Sequence, residues 1–249
     1  MSDYEIFQSA LNTDLGAEQG DYWGFVSVNP ETGFINAVHT GVRNLEESKV
    51  FIEKIRSNSD GIAPVISSDS WFYEKAILQV YSTEKEVEYK GRGRKPNPIL
   101  VPDEELGYVQ VHKQRDEKGK IINISTRIVI GDEIKILTMF ENASRCKTIN
   151  TDYVESRNGK FRKNNARLIR STLCHSKKVV FHDAQILFLT QVMNYTWVKP
   201  HLSVIIDENA PKFKQKYLHK TSAMQENLVN KILTIKELLF IRPKGMAAA

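Results

Sequence analysis

The order strand, strand, helix, strand, helix across residues 22–81 is what most constrains this chain. Tyr22–Val28 and Gly33–Thr40 are β-rich runs, and Asn29-Pro-Glu-Thr-Gly33 between them is a hairpin-type connection. Leu45–Ile55 places apolar residues at Leu45, Val50–Ile52 and Ile55 with charges between, which suits a helix lying over a sheet. Ala63–Ser67 is a short buried strand that runs directly into Ser68-Asp69, and Trp71–Tyr81 reads as a helix. Such an order predicts an α/β protein with a mixed sheet flanked by helices.

The remainder is less regular. Met1–Leu15 is a short, weakly amphipathic start. A loop rich in Gly, Pro and charge runs from Glu84 to about Leu106. Tyr108–Lys113 and Ile121–Ile130 alternate like strands, joined through Glu117-Lys-Gly119, and Gly131-Asp-Glu leads a mixed run to Phe140. Thr151 or Asp152 caps a long helix beginning near Tyr153, with Val154, Phe161 and Leu168 on one face. Val179–Tyr195 is apolar nearly all round and reads as a buried helix. Asn227–Phe240 repeats Leu228, Ile232, Ile235 and Leu239 at helical spacing. The organisation expected is an extension over 1–19, one domain over 20–205 with a β-rich insertion at about 84–140, and a basic segment over 206–249.

Charge separates along the chain. Thirty-five Lys+Arg against 30 Asp+Glu give a net +5, a weak hint of a polyanionic partner. Yet Ser156–His182 holds no acid and eight cations, and Lys90–Pro96 and Lys212–Lys220 are further basic runs. Three such runs point to phosphate binding. No apolar run reaches the roughly 18 residues of a membrane span, and the first residues lack a signal-peptide pattern. Two cysteines exclude a disulfide framework and a Cys-rich zinc module. A soluble cytoplasmic protein with no membrane partner is expected.

Three acids stand at element ends. Asp21 opens the first β run, Asp69 follows the short buried strand, and Glu155 opens the basic helix. Neighbouring carboxylates repel unless a cation lies between them, and oxygen donors favour Mg²⁺ or Mn²⁺ over zinc. Two such ions are a device for in-line phosphoryl transfer. Taken singly, Asp69 equally suits a turn after a strand, and Glu155 a first helical turn. Asn158, Gly159 and Arg162 share the face of Glu155.

A wider pattern joins these positions. Thr148-Ile-Asn-Thr-Asp-Tyr-Val-Glu-Ser-Arg-Asn158 resembles the signature of DDE-class insertion-sequence transposases that carries the catalytic glutamate. Asn164-Asn-Ala-Arg-Leu-Ile-Arg170, Ser171-Thr-Leu-Cys-His-Ser-Lys-Lys178, Lys199-Pro-His-Leu-Ser203 and Lys220-Thr-Ser-Ala-Met224 continue it. Gly20-Asp-Tyr-Trp-Gly-Phe-Val26, Ile66-Ser-Ser-Asp-Ser70 and Tyr108-Val-Gln-Val-His112 are similar to the family's upstream blocks. The resemblance implies a ribonuclease-H-like fold, with catalytic and metal-binding Asp21, Asp69 and Glu155 holding two Mg²⁺ (or Mn²⁺) ions. It also implies cleavage and strand transfer on double-stranded DNA, gripped by Asn158, Arg162, Arg167, Arg170, Lys177 and Lys178, in a protein that works as a homo-oligomer. Trp23 and Trp71 are expected in the core.

There are departures. Ser70, Ser156, Gly159 and Ser222 replace the family's usual residues, and the 20 residues before Asp21 hold no cysteine-rich DNA-binding ribbon. Recognition of element ends is therefore expected to lie outside this sequence. The alternative expectation is a catalytically impaired DNA-binding remnant, acting as an inhibitor or an adopted DNA-binding protein.

Overall fold

A computed structural model describes residues 2–9, 22–60, 62–69, 72–87, 89, 91, 94, 96–169, 173, 174, 176, 178–208 and 216–240. The main sheet is built from β1 (Ser2–Ser9), β2 (Tyr22–Val28), β3 (Ile35–Val42), β4 (Val65–Ser68), β7 (Gly107–Arg115) and β8 (Ile121–Ile130). Their order is β3-β2-β1-β4-β7-β8. β1, β4 and β7 run parallel; β2, β3 and β8 run antiparallel to their neighbours. Two short ladders lie outside it, β5 (Ser82–Lys85) with β6 (Ile99–Pro102), and β9 (Val204–Ile205) with β10 (Tyr217–Leu218). The helices are α1 (Leu45–Ser57), α2 (Tyr73–Val80), α3 (Glu133–Asn142), α4 (Asp152–Asn164), α5 (Val179–Tyr195), α6 (Ser222–Gln225) and α7 (Ile235–Phe240).

Strand alternation divides the core into two layers. Phe25, Ala37, Ile66 and Tyr108 meet Phe51, Ile52 and Ile55 of α1 and Tyr73, Ala76 and Ile77 of α2 on one face. Val26, Val28 and Val38, joined by Ile35 through a register shift in the β2–β3 pairing, meet Val154 and Phe161 of α4 and Ile186 and Met193 of α5 on the other. Val109 continues that second face under Ile136 and Phe140 of α3. A sheet buried on both faces needs near-continuous apolar strands, and the first five residues of β7, Gly107 to Val111, are all buried. The protein is thus α/β, with helices on both faces of one mixed sheet.

Trp23 packs, partly buried, against the first core layer, whereas Trp71 lies outside the described residues. No helix among the described residues is long and apolar enough to cross a membrane.

Four expectations change. Ser2–Ser9 is an inner strand of the sheet, between β2 and β4, and not an extension. Its polar composition hid it, since the pairing on both edges is backbone pairing. β7 and β8 extend the main sheet, so only the β5–β6 ladder and its connection stand apart from it between 82 and 102. The α5 helix is buried along one stripe only, with Val180 74% and Phe181 59% exposed. It lies over β3, and nothing among the described residues covers its outer side. The last helix starts at Ile235, because Asn227 adopts φ 57° and the chain turns there. That left-handed residue ends α6 through a Leu228 N–H to Ala223 carbonyl bond of 3.0 Å.

The placement of β1 has a direct check by amide hydrogen exchange. The amides of residues 2–9 are expected to exchange as slowly as those of β2 and β4, and deletion of residues 1–9 to abolish cooperative unfolding. Exchange at the rate of an open loop contradicts it.

Candidate functional site

The carboxyl ends of parallel strands are where α/β sheets place their ligands. Here β4 ends at Ser68, and Asp69 follows it, partly buried. Ser68 is held from below by a 2.9 Å hydrogen bond between its hydroxyl and that of Tyr108. β7 pairs with β4 up to Ser68↔Gln110 and then runs on to Arg115, carrying Lys113 past the end of β4. Lys113 shares the alternation of Val109 and Val111, so it stands on the face covered by α3 and α4.

α4 brings in the second carboxylate. Val154, Asn158 and Phe161 are fully buried and fix its inner face, and this turns Glu155 toward the end of β4 and β7. Thr151 occupies the helix N-cap without making the usual side-chain cap. Its hydroxyl instead donates to Glu155 Oε1 at 3.4 Å and accepts a hydrogen bond from the Lys113 ammonium. Lys113 also pairs with Glu155 Oε1, and the lysine side chain is only 8% exposed.

The two acids act on each other electrostatically. Burial pushes the Asp69 carboxyl above the usual aspartate range, and the Glu155 charge adds to that rise. Lys113 and Arg43 act in the opposite direction. Arg43 stands with its guanidinium carbon 5.2 Å from the Trp23 ring centre and 4.8 Å from that of Phe72. Asp69, Glu155, Lys113 and Thr151 therefore form a hard-oxygen constellation whose negative charge is partly offset by a lysine. Its donor chemistry fits Mg²⁺ or Mn²⁺. Among the described residues no three His, Cys, Asp or Glu side chains converge as a metal group.

Asp21 lies outside the described residues, as do Arg170 and Lys177. Tyr22, the next residue after Asp21, pairs with Ser9 of β1, whereas the residue of β1 paired level with Ser68 is Asp3. Asn158 is 0% exposed, which places it in the packing of α4 and not on a surface open to DNA. Arg162 and Arg167 are partly exposed and Lys178 is exposed. Lys113 is the site residue that sequence reading passes over, because a lysine late in an alternating strand reads as solvent-facing.

Folding disfavours the charged form of Asp69, so its contribution to stability is present at low pH and lost as pH rises through the raised titration point. Asp69→Asn is accordingly expected to melt above the wild type at neutral pH, with the gap closing on acidification. Lys113→Met leaves two carboxylates facing each other. It is expected to destabilise by about 1–3 kcal/mol and to move the Asp69 carboxyl titration, followed by NMR, further upward. An unmoved Asp69 signal contradicts the shared site.

No family model, curated protein or solved structure matches this chain, so the function has to be argued from these residues.

Proposed function

We propose that the chain is the catalytic domain of a DDE-class transposase, cleaving DNA at element ends and transferring the freed strand in a divalent-metal-dependent reaction. The observation that carries this is the electrostatic coupling of Asp69, at the end of β4, to Glu155 and to the buried Lys113 that pairs with Glu155. The mixed sheet flanked by helices is compatible with the ribonuclease-H-like architecture that the sequence resemblance implies. Two Mg²⁺ or Mn²⁺ ions, when bound, supply activation of the attacking oxygen and charge stabilisation of the leaving one.

The chain's own residues have distinct tasks. Asp69 and Glu155 hold the ions through oxygen. Lys113 and Thr151 orient Glu155 through contacts to the same Oε1. Arg162, seven residues after Glu155, shares its face of α4 and stands where a phosphate beside the metals is held. Arg167 and Lys178, with Arg170 and Lys177 in the same acid-free stretch, supply sequence-independent affinity for the backbone of duplex DNA. The third carboxylate comes from the first strands. Asp21 fills that place in the resemblance and lies outside the described residues. Action on paired DNA ends in the cytoplasm, as a homo-oligomer, completes the proposal.

A second reading is favoured by one observation. Lys113 already pairs with Glu155, and an internal ammonium that keeps this place leaves a DNA-binding protein without metal-dependent cleavage.

Nicking of supercoiled plasmid separates the two. The protein is expected to nick with Mg²⁺ or Mn²⁺ and not with EDTA, and Asp69→Asn or Glu155→Gln to lower the rate by about 10⁴-fold. Asp21→Asn is expected to match that loss. DNA binding with no metal-dependent nicking overturns the enzyme and leaves the second reading.

A further inference from the structure

The side of α4 turned away from Glu155 carries a second concentration of charge, and it is entirely positive. Arg157 and Lys160 lie three residues apart on that side. Arg157 is 7% exposed, and its Nη1 has no hydrogen-bond partner. Its guanidinium lies against the backbone of Gly33 in the β2–β3 turn, where a Cβ would stand 2.1 Å from Nη2. Gly33 has φ +67°, so the same glycine makes the turn and admits the arginine.

Lys199 joins them from the segment after α5. It is 4% exposed. Its backbone N–H donates to the Lys220 carbonyl at 2.9 Å, and the adjoining Val198–Thr221 bridge fixes the segment. Its ammonium stands 5.9 Å from the Trp197 ring centre. Arg145 and His201 form an exposed edge, joined by a 2.6 Å contact between Nη1 and Nε2. Arg145 is placed by the β2–β3 turn, whose Glu31 carboxylate accepts from the backbone N–H groups of Arg145 and Cys146.

These cations repel one another. Lys199 is lowered to about 7 by burial and by Arg157 and Lys160. His201 is lowered by burial and by Arg145, Arg157, Lys199 and Lys160. Among the described residues no carboxylate offsets any of these shifts, and none forms an ion pair with Arg157, Lys160 or Lys199. A guanidinium stays charged when buried, and a buried charge without a partner is strongly disfavoured. Such a group persists where an anion completes it.

We propose that Arg157, Lys160 and Lys199 form an oxyanion site that takes a phosphate group, separate from the Asp69–Glu155 site on the other side of α4. Arg157 and Lys199 make its floor, and Lys160, Arg145 and His201 its open edge. Two donors of a guanidinium match two phosphate oxygens, and a lysine adds a point charge. The phosphate is either a phosphodiester of bound DNA or part of a small phosphorylated compound. The site does not depend on metal-dependent cleavage.

The test uses the full chain and inorganic phosphate, with sodium chloride at matched ionic strength as reference. The wild type is expected to bind phosphate by calorimetry and to melt higher in phosphate than in chloride. Lys199→Met and Arg157→Met are expected to fold in chloride, since each removes an unpaired buried charge, and to lose at least tenfold in phosphate affinity. Should either fail to fold, Lys160→Gln at the open edge is expected to weaken phosphate binding on its own. Glu155→Gln is expected to bind phosphate as the wild type does, whatever its nicking activity. Absence of phosphate-specific binding, or binding equal in the variants, overturns the proposal.

Fluorescence anisotropy with a duplex of about 20 base pairs then identifies the source. If Lys160→Gln weakens DNA binding and lowers the salt slope by about one, the phosphate belongs to DNA. If DNA affinity is unchanged while phosphate binding falls, it belongs to a small phosphorylated compound.

Discussion

The docking of α4 onto the sheet is the constraint on which the rest depends. Val154, Asn158 and Phe161 are buried without residue, and a helix seated on three such positions cannot rotate without opening the core. Its other positions are then committed. Glu155 must face the end of β4 and β7, and Arg157 with Lys160 must face the β2–β3 turn. One packing interaction thus fixes an acidic site and a basic one on opposite sides of the same two turns. Substitutions in the seat act on both sites at once, while substitutions at 155 or 157 act on one.

The acidic side is governed by the cost of bringing two carboxylates together away from water. Burial and mutual repulsion both raise Asp69, and Lys113 is the compensation the chain supplies itself. The lysine is well placed for this because β7 outruns β4 by five residues before turning. Thr151 gives up its capping role to the same cluster. A helix terminus that leaves its cap unmade in order to hold a carboxylate is a local loss accepted for a site. A cation that enters between Asp69 and Glu155 has to compete with Lys113, so metal affinity and the mobility of that lysine are linked.

Much of this is legible in the sequence where period and burial agree. The hairpin of β2 and β3, the α1 and α2 helices and the short buried β4 all announce themselves by apolar spacing, and the residues that define them are core residues. Asp69 and Glu155 are legible as acids at a strand end and in a first helical turn, and the transposase-like motif ties them together. β1 is not legible, because Ser2–Ser9 joins the sheet through its backbone and carries little apolar signal. The exposed side of α5 is hidden for the opposite reason, since Val180 and Phe181 look like core residues in one dimension. Lys113, Arg157 and Lys199 escape because sequence shows charge and not burial. Each reads as one more surface cation until the fold places it under cover.

The central claim is that Asp69 and Glu155 form one cation-binding site at the end of the parallel strands. Paramagnetic broadening by substoichiometric Mn²⁺ tests it most directly in amide spectra of the full chain. Broadening is expected to centre on Asp69, Thr151 and Glu155, to be lost in Glu155→Gln and to strengthen when Lys113 is replaced by Met. Broadening elsewhere, or none at these amides, contradicts it.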